Sequence, residues 1–231
     1  TNTERKNTAN PSGAGYVTKW NAMQDAQFLA ELLKENIKVR FTEIPFTSEG
    51  KKFDHGSLII TKSDNKTKED FDKTVVEIAN KHQRQLIAAN TSFAGSGPDF
   101  GSPEVKLINP PKVAVLKGEG TSSLNYGEIW YFFEQDLNYP FTSLNTDYFE
   151  NIALPQFDVL IMPEGNYSSV LDEDTLKKVK DWVSNGGKLI AIGHAVGIFA
   201  GKDGFNLKEN KSETKDSTAT GNLIPYAQRE R

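Results

Sequence analysis

Hydrophobic positions in the first ninety residues alternate between strand-like and helix-like spacing. Runs rich in β-branched and aromatic residues predict strands at 16–20, 37–44, 56–61 and 86–90. Two apolar stripes at helical spacing lie between them, the first at Ala22, Ala26, Leu29 and Leu33, and the second at Phe71, Val75 and Ile78. Thr67, followed three residues later by Asp70, is the candidate N-cap of the second helix. The pattern predicts a small three-layer α/β unit over residues 15–94, after a polar, solvated lead-in at 1–14.

Residues 95–111 interrupt this rhythm with three Gly and four Pro, which predicts a turn-rich crossing between two units. Beyond it, strand-sized hydrophobic runs lie at 112–116, 142–144, 157–162 and 188–193, with helical patterns at 126–134 and 172–184. Asp172 suits the start of the last helix, and Asn185-Gly186-Gly187 suits its end. Strands that alternate with helices predict a parallel sheet covered on both faces, so we expect a parallel α/β domain at 112–231.

Composition narrows the classes of function. The 231 residues carry 27 Lys and Arg against 31 Asp and Glu, and the formal net charge of −4 argues against a nucleic-acid partner bound through bulk positive charge. No apolar run of the sequence approaches the ~18 residues that a membrane span needs. Cysteine is absent from the sequence, which excludes disulfides, thiolate zinc ligands and a cysteine nucleophile within this chain.

Three predicted strand ends in the second domain carry polar residues. Gly118-Glu119-Gly120, Pro163-Glu164-Gly165 and Gly193-His194 each follow a strand. Because ligand sites in open parallel sheets form at the carboxyl ends of the strands, we expect Glu119, Glu164 and His194 to face one crevice. Two carboxylates and an imidazole would supply acid–base or ligand-binding chemistry there. The alternative is that all three are loop residues that cap helices or meet solvent.

Other catalytic motifs fail at a particular residue. A G-x-G-x-x-G dinucleotide loop that starts at Gly118 needs Gly at 123, where Ser123 stands. His55, His82 and His194 lack the spacing of a metal site, so no metal ligand is predicted. In a nucleophile elbow a strand leads through Gly-x-nucleophile-x-Gly into a helix, and residues 193–197 fit this spacing. The nucleophile position, however, is occupied by Ala195. The prediction is a degenerate nucleophile position and no catalytic residue.

An aromatic cluster lies in the first predicted helix of the second domain. Its members are Tyr126, Trp130, Tyr131, Phe132 and Phe133. A carbohydrate or peptide platform is one interpretation, but aromatic residues at helical spacing favour a place in the core.

The second domain resembles the class I glutamine amidotransferase-like fold, a flavodoxin-like doubly wound sheet. The matching segments are KVAVL at 112–116, FDVLIMPEG at 157–165 and NGGKLIAIGHAVG at 185–197, and the resemblance covers about residues 112–200. Active members place Cys in G-x-C-x-G, where this chain has Ala195, and use a later His-x-Glu, whereas no His follows His194. The resemblance therefore implies the fold without the amidotransferase chemistry.

A wider resemblance covers almost the whole chain. The segments GSLIIT, GPDFGSPEV, PPKVAVL, GEIWYFFE, DVLIMPEG, GGKLIAIGHA and IPYAQRER are similar to the C-terminal region of secreted zinc carboxypeptidases of the carboxypeptidase A-like family, common in Bacteroidetes. In that family an N-terminal metallopeptidase domain precedes an α/β segment and an inactive amidotransferase-like domain. On this interpretation both ends of the chain are cuts within a longer protein.

This second resemblance implies a non-catalytic accessory segment of a metallocarboxypeptidase that hydrolyses C-terminal peptide bonds. Its implied partners are the peptidase domain of the same protein and the peptide substrate, and its implied location is extracellular or periplasmic. Zinc is expected in the peptidase domain, because the H-x-x-E motif and its distant His have no counterpart in this sequence. Two alternatives stay open: an amidotransferase-like hydrolase, or a glycan- or peptide-binding module, each using the crevice around His194.

Overall fold

A computed structural model describes residues 6–209 of the chain. Its first half contains seven strands and two helices: β1 (Gly15–Thr18), α1 (Met23–Lys34), β2 (Arg40–Thr42), β3 (Phe46–Ser48), β4 (Lys51–Phe53), β5 (Leu58–Thr61), α2 (Phe71–Lys81), β6 (Ile87–Ala89) and β7 (Val105–Leu107). Its second half contains β8 (Val113–Lys117), α3 (Ser123–Tyr131), β9 (Phe141–Asn145), β10 (Val159–Met162), α4 (Glu173–Ser184) and β11 (Lys188–Ala191). The segment IPYAQRER lies outside the described residues.

The first unit is built on a five-stranded sheet of order β6-β1-β5-β2-β7, in which every neighbouring pair is antiparallel. Successive side chains of a strand point to opposite faces, so Tyr16 contributes to one core and Val17 to the other. Both helices pack on the Tyr16 face. The opposite face is covered by the hairpin of β3 and β4 and by Phe100. The unit is therefore α/β, as expected, but its third layer is a hairpin that the sequence analysis missed.

The buried face of α1 differs from the predicted stripe. Phe28 and Leu32 are fully buried, whereas Ala22 is exposed and Leu29 is half-buried. Asp25 lies on the same buried face, because its carboxylate accepts hydrogen bonds from the backbone N–H groups of Asn21 and Ala22 and from Arg84. A prediction from apolar spacing treats every aspartate as exposed, even one whose carboxylate is fully hydrogen-bonded in the interior. The predicted buried face of α1 is therefore rotated from the observed one.

Two segments predicted as linkers belong to the first unit. In the lead-in, the Asn7 amide donates to the Arg84 carbonyl and its Oδ1 accepts from the Leu86 backbone, so this end is held against the sheet. In the 95–111 crossing, Phe100 is buried and β7 joins β2 as the edge strand. The first sheet thus extends past the predicted boundary at residue 94, since long-range strand pairing leaves little trace in a Gly- and Pro-rich sequence.

The second unit contains the expected parallel sheet, with strand order β11-β10-β8-β9. Ala114 and Leu116 face the core beneath α4, and Val113 and Val115 face α3. The α4 helix starts at the predicted N-cap, where Asp172 Oδ1 accepts from the Thr175 N–H at 2.9 Å. One helix on each face agrees with the doubly covered sheet predicted from the alternation of strands and helices.

The prediction that the aromatic cluster is core is wrong for most of its members. Phe133 is buried, but Trp130, Tyr131 and Phe132 are exposed on α3 and on the π-helical turn at 132–137 that follows it. Five aromatic residues in eight positions point all around a helix, and only one side of it can contact the sheet.

None of the helices within residues 6–209 is long and apolar enough to cross a membrane.

An ion pair anchors the turn that follows β5. The Arg40 guanidinium donates to both carboxylate oxygens of Asp64, at 2.7 and 2.9 Å, and the Thr61 hydroxyl donates to Asp64 Oδ2 at 2.7 Å. Hydrogen bonding to Arg40 holds the pKa of Asp64 below its ordinary 3.8. The carboxylate therefore stabilises the fold above about that pH, and the contribution disappears as the pH falls through the lowered pKa.

We predict that Asp64→Asn lowers the free energy of unfolding by roughly 1 kcal/mol at pH 7, because it removes one partner of the Arg40 pair. The difference from the unsubstituted chain should shrink toward zero as the pH falls below 3.8. Urea unfolding followed across pH 2–7 measures both effects. Asp54→Asn, at an exposed aspartate, is the control, and a loss of equal size there would contradict the prediction.

Candidate functional site

The carboxyl ends of β8, β10 and β11 lie at one edge of the parallel sheet, as predicted, and carry Glu119, Glu164 and His194. The structure joins only two of these residues. Glu164 and His194 form a hydrogen-bonded pair, whereas Glu119 is exposed and has no hydrogen bond or ion pair to either of them within residues 6–209. The structure therefore pairs two of the three predicted residues, and Glu119 is exposed to solvent.

The Glu164–His194 pair uses both the ring and the backbone of the histidine. The imidazole Nδ1 lies 2.5 Å from Glu164 Oε1, and the His194 backbone N–H lies 3.2 and 3.1 Å from the two carboxylate oxygens. The His194 side chain is 91% exposed, and that of Glu164 is 35% exposed. Hydrogen bonding to the imidazole lowers the pKa of Glu164 from its ordinary value, with a further contribution from the His194 N–H.

Helix α3 positions the backbone of Glu164. Its N–H donates to the Asn125 side-chain oxygen at 2.7 Å, and its carbonyl accepts from the Ser122 N–H at 2.8 Å. Ser122 is also the N-cap of α3, because its hydroxyl accepts from the Asn125 N–H. Asn125 is thus a positioning residue that the sequence analysis missed. An asparagine in the first turn of a helix has no motif that would have identified this role.

Glycine at 193 makes room for the carboxylate. Gly193 has φ of +57°, in the left-handed region, and a Cβ built there would collide with Oε2 of Glu164. Any other residue would both adopt a strained backbone conformation and displace the Glu164 side chain. The pair therefore depends on the glycine that precedes His194.

The loops that follow β8 and β10 are joined through their backbones. The Asn166 N–H donates to the Gly120 carbonyl at 2.8 Å, and Thr121 forms an isolated bridge with Gly165. A Cβ at Gly165 would collide with the Gly120 carbonyl oxygen. This close approach explains Gly120 and Gly165, whereas a Cβ at Gly118 would collide with the Asn145 side chain.

A cavity of about 390 Å³ lies beside His194. Asn166, Tyr167 and Ser168 line its polar side, and the Ser168 hydroxyl donates to Asn166 Oδ1 at 2.7 Å. The Tyr167 hydroxyl donates to the Pro163 carbonyl at 2.9 Å, and burial raises the pKa of this phenol. The lining is mostly apolar, and Asn166, Ser168 and His194 add an amide, a hydroxyl and an imidazole to it, which suits a largely apolar ligand with a polar end.

The pair has the geometry of an oriented imidazole. A carboxylate that holds Nδ1 fixes the ring and its tautomer and leaves Nε2 directed away from the pair. With its side chain 91% exposed, His194 can accept or donate a proton at Nε2, or form an ion pair with a ligand when it is protonated. The arrangement is chemically competent for binding and for proton transfer.

The elbow predicted at residues 193–197 is wrong in its geometry. The left-handed backbone conformation falls at Gly193 rather than at Ala195, and a 3-10 helix covers Gly193–Phe199. Ala195 is 1% exposed and belongs to the core cluster beneath α4. In a nucleophile elbow the strained residue presents its side chain at the top of the sheet. Here the residue at that position faces the core.

The other two histidines lie in the first unit. His82 follows α2, and its Nε2 lies 2.6 Å from Glu31 Oε2, in a contact between α1 and α2 that is structural. His55 is exposed in the turn before β5. Within residues 6–209, no group of three or more His, Asp or Glu residues is close enough to hold a metal ion.

Comparisons of the chain with protein-family models, with curated proteins and with solved structures gave no match. The functional interpretation therefore depends on the geometry of the site and on the sequence resemblance described above.

We predict that His194→Ala raises the pKa of Glu164 toward its ordinary 4.5, because it removes the imidazole hydrogen bond. The backbone N–H of residue 194 remains, so the return should be incomplete. NMR titration of the Glu164 side-chain carboxyl carbon measures the pKa. His55→Ala provides a matched control at an exposed histidine. An unchanged Glu164 pKa in His194→Ala would contradict the pairing.

The position of residue 195 can be tested with single thiols, since the chain has no cysteine. We predict that Ala195→Cys reacts slowly with a thiol reagent in the folded protein and rapidly after unfolding, because the side chain is buried. Ser168→Cys, on the exposed wall of the cavity, should react rapidly in the folded state. Equal rates for the two folded variants would show that residue 195 faces the crevice.

Proposed function

We propose that this chain is a non-catalytic accessory segment of a zinc-dependent metallocarboxypeptidase involved in proteolysis. In this proposal the cavity beside His194, together with the Glu164–His194 pair, binds a ligand with a polar end, and peptide-bond hydrolysis takes place in a peptidase domain of the same protein. The partners are that peptidase domain and its peptide substrate. The location is extracellular or periplasmic, and zinc belongs to the peptidase domain.

The observation that carries the proposal is the burial of Ala195. In the amidotransferase-like pattern this position supplies the cysteine nucleophile, and here it holds a methyl group packed into the core. If only the nucleophile had been replaced, the backbone around residue 195 would still form an elbow. Here the backbone at 193–199 also differs from an elbow. A segment that keeps the sheet and loses both features is typical of a domain retained for stability, substrate positioning or anchoring.

The strand order supports the finer fold assignment. Read from β9, the order β9-β8-β10-β11 is 2-1-3-4, which is the order of the first four strands of a flavodoxin-like sheet. In such sheets ligands bind at the carboxyl ends of the strands, near the point where the order reverses. Glu164 and His194 follow β10 and β11 at that edge. The proposed amidotransferase-like fold and the proposed binding crevice are therefore compatible with each other.

A second candidate is a stand-alone hydrolase that uses His194 as its general base. The oriented imidazole with an exposed ring favours it, because this is the arrangement of a catalytic histidine held by a carboxylate. Such an enzyme would activate water or a substrate hydroxyl, since the chain has no cysteine. A glycan- or peptide-binding module would use the same groups without turnover.

We expect the purified chain to release no ammonia from glutamine and no amino acid from peptides, with or without added zinc. The native coding sequence should also encode an H-x-x-E motif and a distant His upstream of Thr1. Amino-acid analysis of the reaction mixtures and sequencing of the flanking gene provide the two measurements.

His194→Ala is the variant that separates the candidates, with His55→Ala as its control. Turnover that His194→Ala abolishes while the thermal unfolding transition is retained would establish the hydrolase and overturn the accessory role. A gene that starts beside Thr1 and encodes no peptidase would also overturn it.

A further inference from the structure

A second cavity, of about 400 Å³, lies in the first unit, and four of the ten residues that line it are basic. Lys19 follows β1, Lys51 and Lys52 lie on β4, and Arg84 lies in the segment between α2 and β6. Asp25, on α1, is the acidic residue among the lining groups. Four positive charges therefore surround one carboxylate, on a chain whose formal net charge is −4. The cavity is a local positive region on an acidic protein.

The Asp25 carboxylate does not neutralise the lysines. Its Oδ2 accepts from the backbone N–H groups of Asn21 and Ala22 at 2.8 and 2.7 Å, and its Oδ1 accepts from Arg84 Nη1 at 3.0 Å. With the side chain 1% exposed, these bonds hold it in the interior. Within residues 6–209 the ion-paired lysines all lie outside the cavity, and none of their ion pairs involves Lys19, Lys51 or Lys52.

Arg84 lines the cavity and also carries a buried donor without a partner. Its Nε is the one buried side-chain nitrogen or oxygen that lacks a hydrogen-bond partner within residues 6–209. A buried N–H without an acceptor is costly, and such groups in a folded protein call for an acceptor that is not part of the chain. Because this Nε has almost no accessible surface, an oxyanion in the cavity could accept from it only if the guanidinium shifts toward the cavity. The positive charge of the lining residues is therefore the observation that favours an anionic ligand.

The hairpin holds its two lysines on a rigid support. Lys51 pairs with Ser48 and Lys52 with Thr47 in the β3–β4 ladder. At the base of the hairpin, the Phe46 and Phe53 rings stack with centroids 5.2 Å apart in the core beneath the sheet. Lys51 and Lys52 are successive residues of β4, so their side chains leave opposite faces of this fixed backbone, and a ligand would have to order both long side chains toward the cavity.

We propose that this cavity is a binding site for a compact oxyanion that carries two or more negative charges, such as a phosphoryl group or a polycarboxylate. Lys19, Lys51 and Lys52 provide the charge, and Arg84 provides guanidinium donors at the inner wall. The proposal does not rest on the accessory role or on the Glu164–His194 crevice, which lies in the other unit. It concerns a second, separate ligand of the same chain.

Isothermal titration calorimetry at low ionic strength tests the site, with inorganic pyrophosphate and citrate as probes. We expect saturable binding that weakens as salt is added, together with shifts of the backbone amide NMR signals of Lys51, Lys52 and Gln85. Tighter binding of pyrophosphate assigns the site to phosphoryl ligands, and tighter binding of citrate assigns it to carboxylates. No saturable binding of either probe up to about 10 mM would overturn the proposal.

The double variant Lys51→Gln/Lys52→Gln should raise Kd on the order of tenfold or more, because it removes two of the four positive charges. These side chains are exposed on the hairpin, so the fold should be retained. The matched control Lys66→Gln/Lys188→Gln removes the same charge at exposed lysines outside the cavity and should change Kd less than about threefold. An equal loss in the control would mean nonspecific attraction and would overturn the proposal.

Discussion

Parallel pairing of β10 with both β8 and β11 is the constraint on which the candidate site depends. It places the loops after three strands at one edge, and it puts Glu164 and His194 on adjacent strands. The carboxylate can then bond both the ring and the backbone of the histidine. The glycines at 120, 165 and 193 follow from the same constraint, since each lies where a loop of one strand closely approaches that of its neighbour.

The two polar clusters of the chain differ in what they contribute. An exposed pair such as Glu164–His194 adds little to the free energy of unfolding, because water competes for both groups. Its value lies in orienting an imidazole beside a cavity. The Asp25–Arg84 pair is largely buried, and removal of either partner would leave an uncompensated charge in the interior. Around that pair, the positive charge of the neighbouring lysines remains available to a ligand.

The two units therefore combine different architectures with different surface chemistry. The antiparallel unit has helices on one face and a hairpin on the other, with a basic cavity beside the hairpin. The parallel unit has a helix on each face and, at its strand ends, a mostly apolar cavity beside His194. They contact each other where Gln27 on α1 donates to the Asp136 carbonyl at 2.9 Å. This division of chemistry is compatible with a segment that binds and positions rather than cleaves.

The sequence by itself determined the elements whose signals are local. The apolar stripe at Phe71, Val75 and Ile78 predicted α2. In the second unit, the capping residue Asp172 and the four strand-sized runs predicted α4, the parallel sheet and the edge that carries Glu164 and His194. Hydrophobic spacing and a cap such as Asp172 act over a few residues, so they are readable without the fold. The cap predicted at Thr67 is wrong, because the N-cap of α2 is Asp70.

Only the tertiary structure decided which strand-end residues meet. In the folded chain Glu119 is exposed outside the pair, and Ala195 is buried in the core. Trp130 is exposed, and the Asn125 side chain accepts a hydrogen bond from the Glu164 backbone. It also assembled the basic cavity, whose members Lys19, Lys51 and Arg84 lie far apart in the chain. Each of these outcomes depends on contacts between distant segments, and such contacts are set by how the sheets and helices pack, which local spacing does not encode.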